Sequence, residues 1–309
     1  MVTNFTGTIL CLFRPGYNRR YFPGGFAFML TRSHHLLAAL VGTIVVFQVV
    51  PSYAESTPAS LAEPTYADLA GLADSAGMVV RVQVAKIVPV ESARAPGLQA
   101  GQGRFYVEAK VKSLLSGRAP IGESVKYLVD LPLDSRGKPP KLKKRDVLVF
   151  AHAVPGRAGE LQLVTPGAQI LWDEAVEAHL RDVLQALVSL SAPAKVTGVR
   201  ELLYVPGNLA GQGETQIFLT TKDGSAASIT VRHGPGAAPA WGASFSELVA
   251  EVGHPPRRDT LEWYRLACFL PQTPPAGANV SEGSAAQEQA DADYRAVLND
   301  LGPCERRLP

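Results

Sequence analysis

Five stretches between residues 78 and 164 alternate apolar and polar side chains with a period of two. "MVVRVQVAKIV" sets Val80, Val82 and Val84 against Arg81 and Gln83. "RFYVEAKVK" sets Phe105, Val107, Ala109 and Val111 against Tyr106, Glu108, Lys110 and Lys112. "SVKYLVDL", "DVLVFAHAV" and "ELQLV" extend the series. Successive strand side chains point to opposite faces, so this pattern predicts half-buried antiparallel strands packed on one core. The chain has length enough for two ordinary domains.

Helical spacing brackets the strands. "TYADLAGLADSA" carries Leu69, Leu72, Ala73 and Ala76 on one face, with Thr65 and Asp68 placed as a reciprocal cap. Behind Asp173, Val176, Leu180, Val183, Leu184 and Leu187 recur at helical intervals and close the first unit. "SAPAK" (191–195) reads as a hinge. Beyond it lie a strand, "VTGVRELLYV", and a hairpin turning at Asp223-Gly224. "HGPGAAPAWGA" reads as a loop, and three short helices follow. The first starts at Ser244 with Glu247, the second is "TLEWYRLACFL", and the last ends at Gly302-Pro303. The expected organisation is a leader (1–54), a strand-rich unit with its closing helix (55–190) and a hairpin-plus-helix unit (191–309).

The leader sets the compartment. Residues 36–50, "LLAALVGTIVVFQVV", are uncharged and follow Met29, Arg32, His34 and His35. "PSYAES" follows, with Ser52 and Ala54 in small-x-small positions. This is the layout of a signal peptide cleaved after Ala54, with translation starting at Met29. The apolar run of 15 residues is short of the roughly 20 that span a bilayer, so an uncleaved anchor is the alternative. The expected location is periplasmic or secreted. Residues 1–54 hold four of the 30 basic residues and no acidic one, leaving 26 basic against 28 acidic after cleavage. Such a chain has no general electrostatic reason to bind nucleic acid. Membrane contact is expected only if the leader stays attached.

After cleavage two cysteines remain, Cys268 and Cys304, and export predicts a disulfide between them. On the chain-entropy model, closing a loop of 36 residues stabilises by about 4 kcal/mol.

"AGQG" occurs at 100–103 and at 210–213. Each copy precedes a strand rather than a helix and lacks a third glycine, which argues against a phosphate cradle. Both copies read as loops that use glycine to enter a strand through unusual backbone angles.

The sequence around "ADL…VVRVQV", "VKSLLSG" and "LKKRDVLVF" resembles secreted OB-like β modules over residues 66–170. The resemblance implies a small antiparallel β-barrel and no particular reaction. The expected fold class is therefore α+β, an OB-like barrel unit with flanking helices followed by the hairpin and helical unit.

No G-x-S-x-G or H-E-x-x-H is present. His152, His179, His233 and His254 show no metal-ligand spacing, and Asp291 and Asp293 fall on different faces of one helix. No catalytic residue, metal or cofactor is expected. Trp241 is a candidate for ligand contact if it is exposed in its loop, against the alternative of a Trp that buries a hairpin face. "KPPKLKKRD", with Lys138, Lys141, Lys143, Lys144 and Arg145, could grip an anionic polymer or headgroup, or simply solvate a loop. The expectation that follows is a non-enzymatic module binding an envelope protein or polymer. The alternatives are an envelope hydrolase built on His152 or His233 with a distant carboxylate, and a membrane-anchored scaffold.

Overall fold

A computed structural model describes residues 63–246 and 254–308. The leader, its cleavage site and Glu247 of the expected cap lie outside the described residues.

Helix α1 (Tyr66–Ser75) starts at the expected cap: Asp68 N donates to Thr65 Oγ1, and Thr65 N donates back to Asp68 Oδ2. Five strands follow, β1 (Met78–Pro89), β2 (Gln102–Gly117), β3 (Ser124–Pro132), β4 (Asp146–Ala153) and β5 (Leu161–Leu163). A short β6 (Gln169–Leu171), which the alternation did not reveal, pairs with β4. All pairings are antiparallel, in the order β3-β2-β1-β4-β5. The inward rows are those expected, among them Val80, Val82, Val84, Phe105, Val107 and Ala109, all buried.

The expected closed barrel does not form. Between β3 and the segment that carries β5 there is one isolated parallel bridge, Lys126 to Glu160, and no ladder. Closure needs a continuous β3–β5 ladder, and β5 is three residues long.

Helix α2 (Glu174–Val188) is capped by Asp173 and buries Val176, Leu180, Val183 and Leu184. The side chain of Arg81 from β1 lies 3.6 Å over Trp172 and pairs with Asp146 at 2.8 Å and Glu177 at 3.5 Å. These contacts fasten the start of α2 to the β1–β4 surface.

The remaining strands make a second sheet in the order β10-β9-β8-β7. They are β7 (Val196–Pro206), β8 (Gly213–Thr221), β9 (Ser228–His233) and β10 (Ala240–Ser244). Helices α3 (Leu261–Ala267) and α4 (Ser284–Leu301) complete the chain. Strand β10 corrects two expectations. It takes in Trp241, expected in a loop, and Ser244, expected to open a helix. Alanine and glycine favour strands weakly, but a full register with β9, Ala240 to Arg232 through Ser244 to Ser228, satisfies the backbone and decides the outcome. Strand β7 is covered on its other edge, where Leu202 N donates to Ala278 O and Val280 N to Leu202 O.

Both repeats do the expected work. Gly101 (φ 78°) immediately precedes β2, and Gly211 (φ 76°) stands two residues before β8. That left-handed conformation suits glycine.

A buried ion pair joins α1, which leads into the first sheet, to α3, which follows the second. Arg265 of α3, 3% exposed, donates through both Nη atoms to the Asp74 carboxylate of α1, at 2.9 and 3.1 Å. Lys195, in the segment expected as a hinge, reaches Asp74 at 2.9 Å.

Cys268 and Cys304 are disulfide-bonded as expected. The bond holds a C-terminal strap against α1, where Arg307 N and Leu308 N donate to Asp68 and Thr65 Oγ1 donates to Glu305 O. Among the described residues no helix is long and apolar enough to cross a membrane.

Candidate ligand groove

The outward rows of β2 and β3 lie opposite one another in register. Arg104 faces Asp130, Tyr106 faces Leu128, Glu108 faces Lys126, and Lys110 faces Ser124. Cross-strand neighbours on one face touch, so this surface is a Tyr–Leu platform with a charged pair on either side. Leu128 is 50% exposed, unusual for a leucine in the middle of a strand.

The unfinished closure makes this surface concave. Two backbone bonds pin β3 to the segment that carries β5: Lys126 N donates to Gly159 O, and Asp130 N donates to Pro166 O, both at 2.8 Å. Between the pins β3 advances four residues, from 126 to 130, whereas the facing segment advances seven, from 159 to 166. The three surplus residues cannot lie flat against β3. A cavity of about 710 Å³ opens there, lined by the Tyr106–Leu128 platform, by Arg104 and Asp130, and by Gln162 and Thr165 across the gap.

The polar wall is fixed in place. Asp130 is 7% exposed and accepts two parallel bonds from Arg104, Nε to Oδ1 at 2.7 Å and Nη2 to Oδ2 at 2.8 Å. The bond to Asp130 raises the guanidinium's pKa above its usual value, so Arg104 stays charged. At the floor, burial pushes the Tyr127 phenol well above its ordinary pKa, and its hydroxyl donates to Gln169 Oε1 at 2.6 Å. This wall therefore presents a fixed ion pair and neutral hydrogen-bonding groups beside an apolar platform. It contains no nucleophile with an adjacent base. Such an arrangement has the groups to hold and orient a ligand.

The residues singled out in the sequence lie elsewhere. Trp241 is 8% exposed, and its Nε1 donates to Asp300 Oδ2 at 2.7 Å, so it fastens β10 to α4 instead of facing a ligand. Lys141, Lys143 and Lys144 are exposed in the β3–β4 loop. His152 is exposed on β4, opposite Gln162.

His233 does meet a distant carboxylate. Its Nε2 lies 2.9 Å from both oxygens of Asp293 on α4, and the Thr215 hydroxyl and Gln289 Nε2 also donate to that carboxylate. The order of groups is not that of a nucleophile–histidine–carboxylate triad. The carboxylate stands between the imidazole and the hydroxyl, so His233 cannot take the Thr215 proton, and Thr215 is fully buried. The cluster instead ties α4 onto β8 and β9. Among the described residues, no group of three or more His, Cys, Asp or Glu is placed to hold a metal ion.

Sequence reading missed the groove because Tyr106 and Leu128 are 22 residues apart and only the β2–β3 register brings them together. The one local signal was an aromatic residue on the polar row of a strand. Comparison with models of known protein families and with curated proteins gives no match for this chain.

Proposed function

We propose that the protein is an exported, non-enzymatic binding module of the cell envelope, and that the groove between β3 and the β5 segment seats its ligand. The observation that carries this reading is the Tyr106–Leu128 platform, half-buried at the tyrosine and exposed at the leucine, beside a cavity whose charged wall is already paired. The disulfide is consistent with an oxidising, extracytoplasmic location.

The finer fold reading supports the same conclusion. We infer that the first sheet is an OB-like unit left open at one seam. Strands β1 to β3 run as a meander, β1 pairs β4, β4 pairs β5, and β3 touches β5. Partly open barrels of this kind bind oligosaccharides and oligonucleotides on the face of the second and third strands, beside the loop between the fourth and fifth. The cavity has Tyr106 from β2, Leu128 from β3 and Arg157 from the loop before β5 in its lining. The charge balance after cleavage disfavours a polyanion there, so a neutral or mixed-charge envelope polymer is the ligand class.

Titration calorimetry against soluble cell-wall glycan fragments tests the reading. Tyr106→Ala with Leu128→Ser should weaken binding at least tenfold, an aromatic platform contributing about 1–3 kcal/mol, while the fragments stay intact. Turnover of any fragment that one substitution abolishes would overturn it, as would binding indifferent to the double variant.

A further inference from the structure

We propose a second contact surface, separate from the groove: the β3–β4 loop is an electrostatic docking site for an anionic lipid surface. Residues 136–145 include Arg136, Lys138, Lys141, Lys143, Lys144 and Arg145, all six exposed. Asp134, the acidic residue at the start of the loop, has its Oδ1 engaged by the backbone N–H groups of Arg136 and Lys138. Among the described residues eleven ion pairs form, and none uses any of these six cations. Asp146, next in the chain to Arg145, is committed to Arg81.

The loop is held rather than slack. Leu142, 3% exposed, pegs its middle into the core between the exposed Lys141 and Lys143. Lys144 N donates to Val84 O and Val84 N to Arg145 O, which stitches the loop to β1. Lys144 has φ 66°, a left-handed conformation that a lysine keeps only when its surroundings impose it. Pro139 and Pro140 restrict the approach. A loop already ordered presents its charges without the entropy penalty of fixing them on contact.

The chemistry points to a diffuse anionic surface. Four of the six cations are lysines, hydrated point charges that need no bidentate partner. Residues 136–145 hold no aromatic residue, and their one apolar side chain besides the prolines, Leu142, is turned inward, so they cannot stack on bases or sugar rings. Clustered lysines and arginines are drawn to the phosphates of acidic bilayers in this way. The contact does not require the apolar run at 36–50.

Cosedimentation of the full chain with vesicles tests it. On vesicles of equal parts phosphatidylglycerol and phosphatidylcholine, Lys141→Gln with Lys143→Gln and Lys144→Gln should bind roughly 100-fold more weakly than wild type, from the usual contribution of each basic residue. The thermal midpoint should not move, and added salt should weaken wild-type binding steeply, because exposed charges are screened within about 8 Å at physiological ionic strength. Equal binding by wild type and variant, or equal wild-type binding to pure phosphatidylcholine, would overturn the proposal. So would salt-insensitive binding, or soluble polyphosphate held as tightly as the mixed vesicles.

Discussion

Each of the two sheets meets a nearly buried carboxylate, Asp130 on a strand of the first and Asp293 on the helix that covers the second, and each treats it differently. In the first, Asp130 is paired with Arg104 at the wall of a cavity, and the Tyr106–Leu128 platform beside it stays open. In the second, Asp293 of α4 gathers His233 and Thr215 from the sheet and Gln289 from its own helix, and Trp241 reaches Asp300 on the same helix. The contrast arises from what covers each surface. Helix α4 lies along the second sheet and consumes its polar groups as fasteners. The first sheet has instead a facing segment three residues too long to seal its seam, and that surplus leaves room for a ligand.

The comparison treats the sheets as parts of one cooperative unit, and the Asp74–Arg265 pair is where that can be broken. Asp74→Ala leaves the Arg265 guanidinium, 3% exposed, without its carboxylate, a change that destabilises by about 3–5 kcal/mol. Lys195 loses the same carboxylate and keeps only its bond to the backbone carbonyl of residue 74, so the link between α1 and the segment before β7 is weakened as well. Denaturation followed by tryptophan fluorescence, with Trp172 near the first sheet and Trp241 in the second, should show a lowered midpoint and transitions that no longer coincide. Acid should act in the same direction. Burial opposes ionisation of Asp74, but the hydrogen bonds from Arg265 and Lys195 outweigh it and depress its pKa. A carboxyl depressed in the folded state stabilises above its unfolded value of about 3.9, and that contribution is lost as pH falls below it. Wild type should therefore lose stability through that window, and Asp74→Ala should lose less. Parallel acid curves for the two proteins would remove Asp74 from the account.

Cys304→Ser sharpens the contrast by loosening one region alone. The bond spans 36 residues and secures the strap that caps α1 through Asp68. Its loss should lower stability by about 2–4 kcal/mol. Limited trypsin digestion should cut first within residues 271–308, at Arg295 or in the strap, before any cut in β1 to β4. Early cleavage in the first sheet would show that the strap holds the whole molecule and not its own end.

What the sequence disclosed follows from the range of the interactions. Strands β1 to β4 were legible because their alternation is local, and so were the Thr65 and Asp173 caps and the glycines at 101 and 211. The disulfide needed only a count of cysteines and an expectation of export. Strand β10 was hidden because "AWGA" acquires its conformation from β9 and not from its own propensity. The open seam was hidden because barrel closure depends on pairing between β3 and β5, more than thirty residues apart in the chain. The groove inherits that obscurity. The helical spacing separated Asp291 from Asp293 correctly, but nothing local told which of them faces a sheet. Asp293 is 3% exposed, while Asp291 accepts a bond from Asn279.

Asp293→Asn gives the smallest of these effects and the most direct reading of the second sheet as a fastened surface. The substitution keeps the shape but replaces a charged acceptor with a neutral amide that has one acceptor oxygen. Three donors now compete for it: the Thr215 hydroxyl, His233 Nε2 and Gln289 Nε2. Thr215 is fully buried and has no water to turn to, so its bond, or that of His233, is weakened or lost. Bonds to a charged group contribute about 1.5–3 kcal/mol each, and part survives on the amide oxygen, which sets the expected loss at about 1–3 kcal/mol. The loss should be local. Backbone amides of α4 and β8 should exchange with deuterium faster, while those of β1 and β4 keep their protection. Binding of glycan fragments in the groove should not change, because Asp293 does not line it. If Asp293→Asn abolishes ligand binding or turnover while α4 keeps its protection, the cluster is a working site and the contrast between the two sheets is reversed.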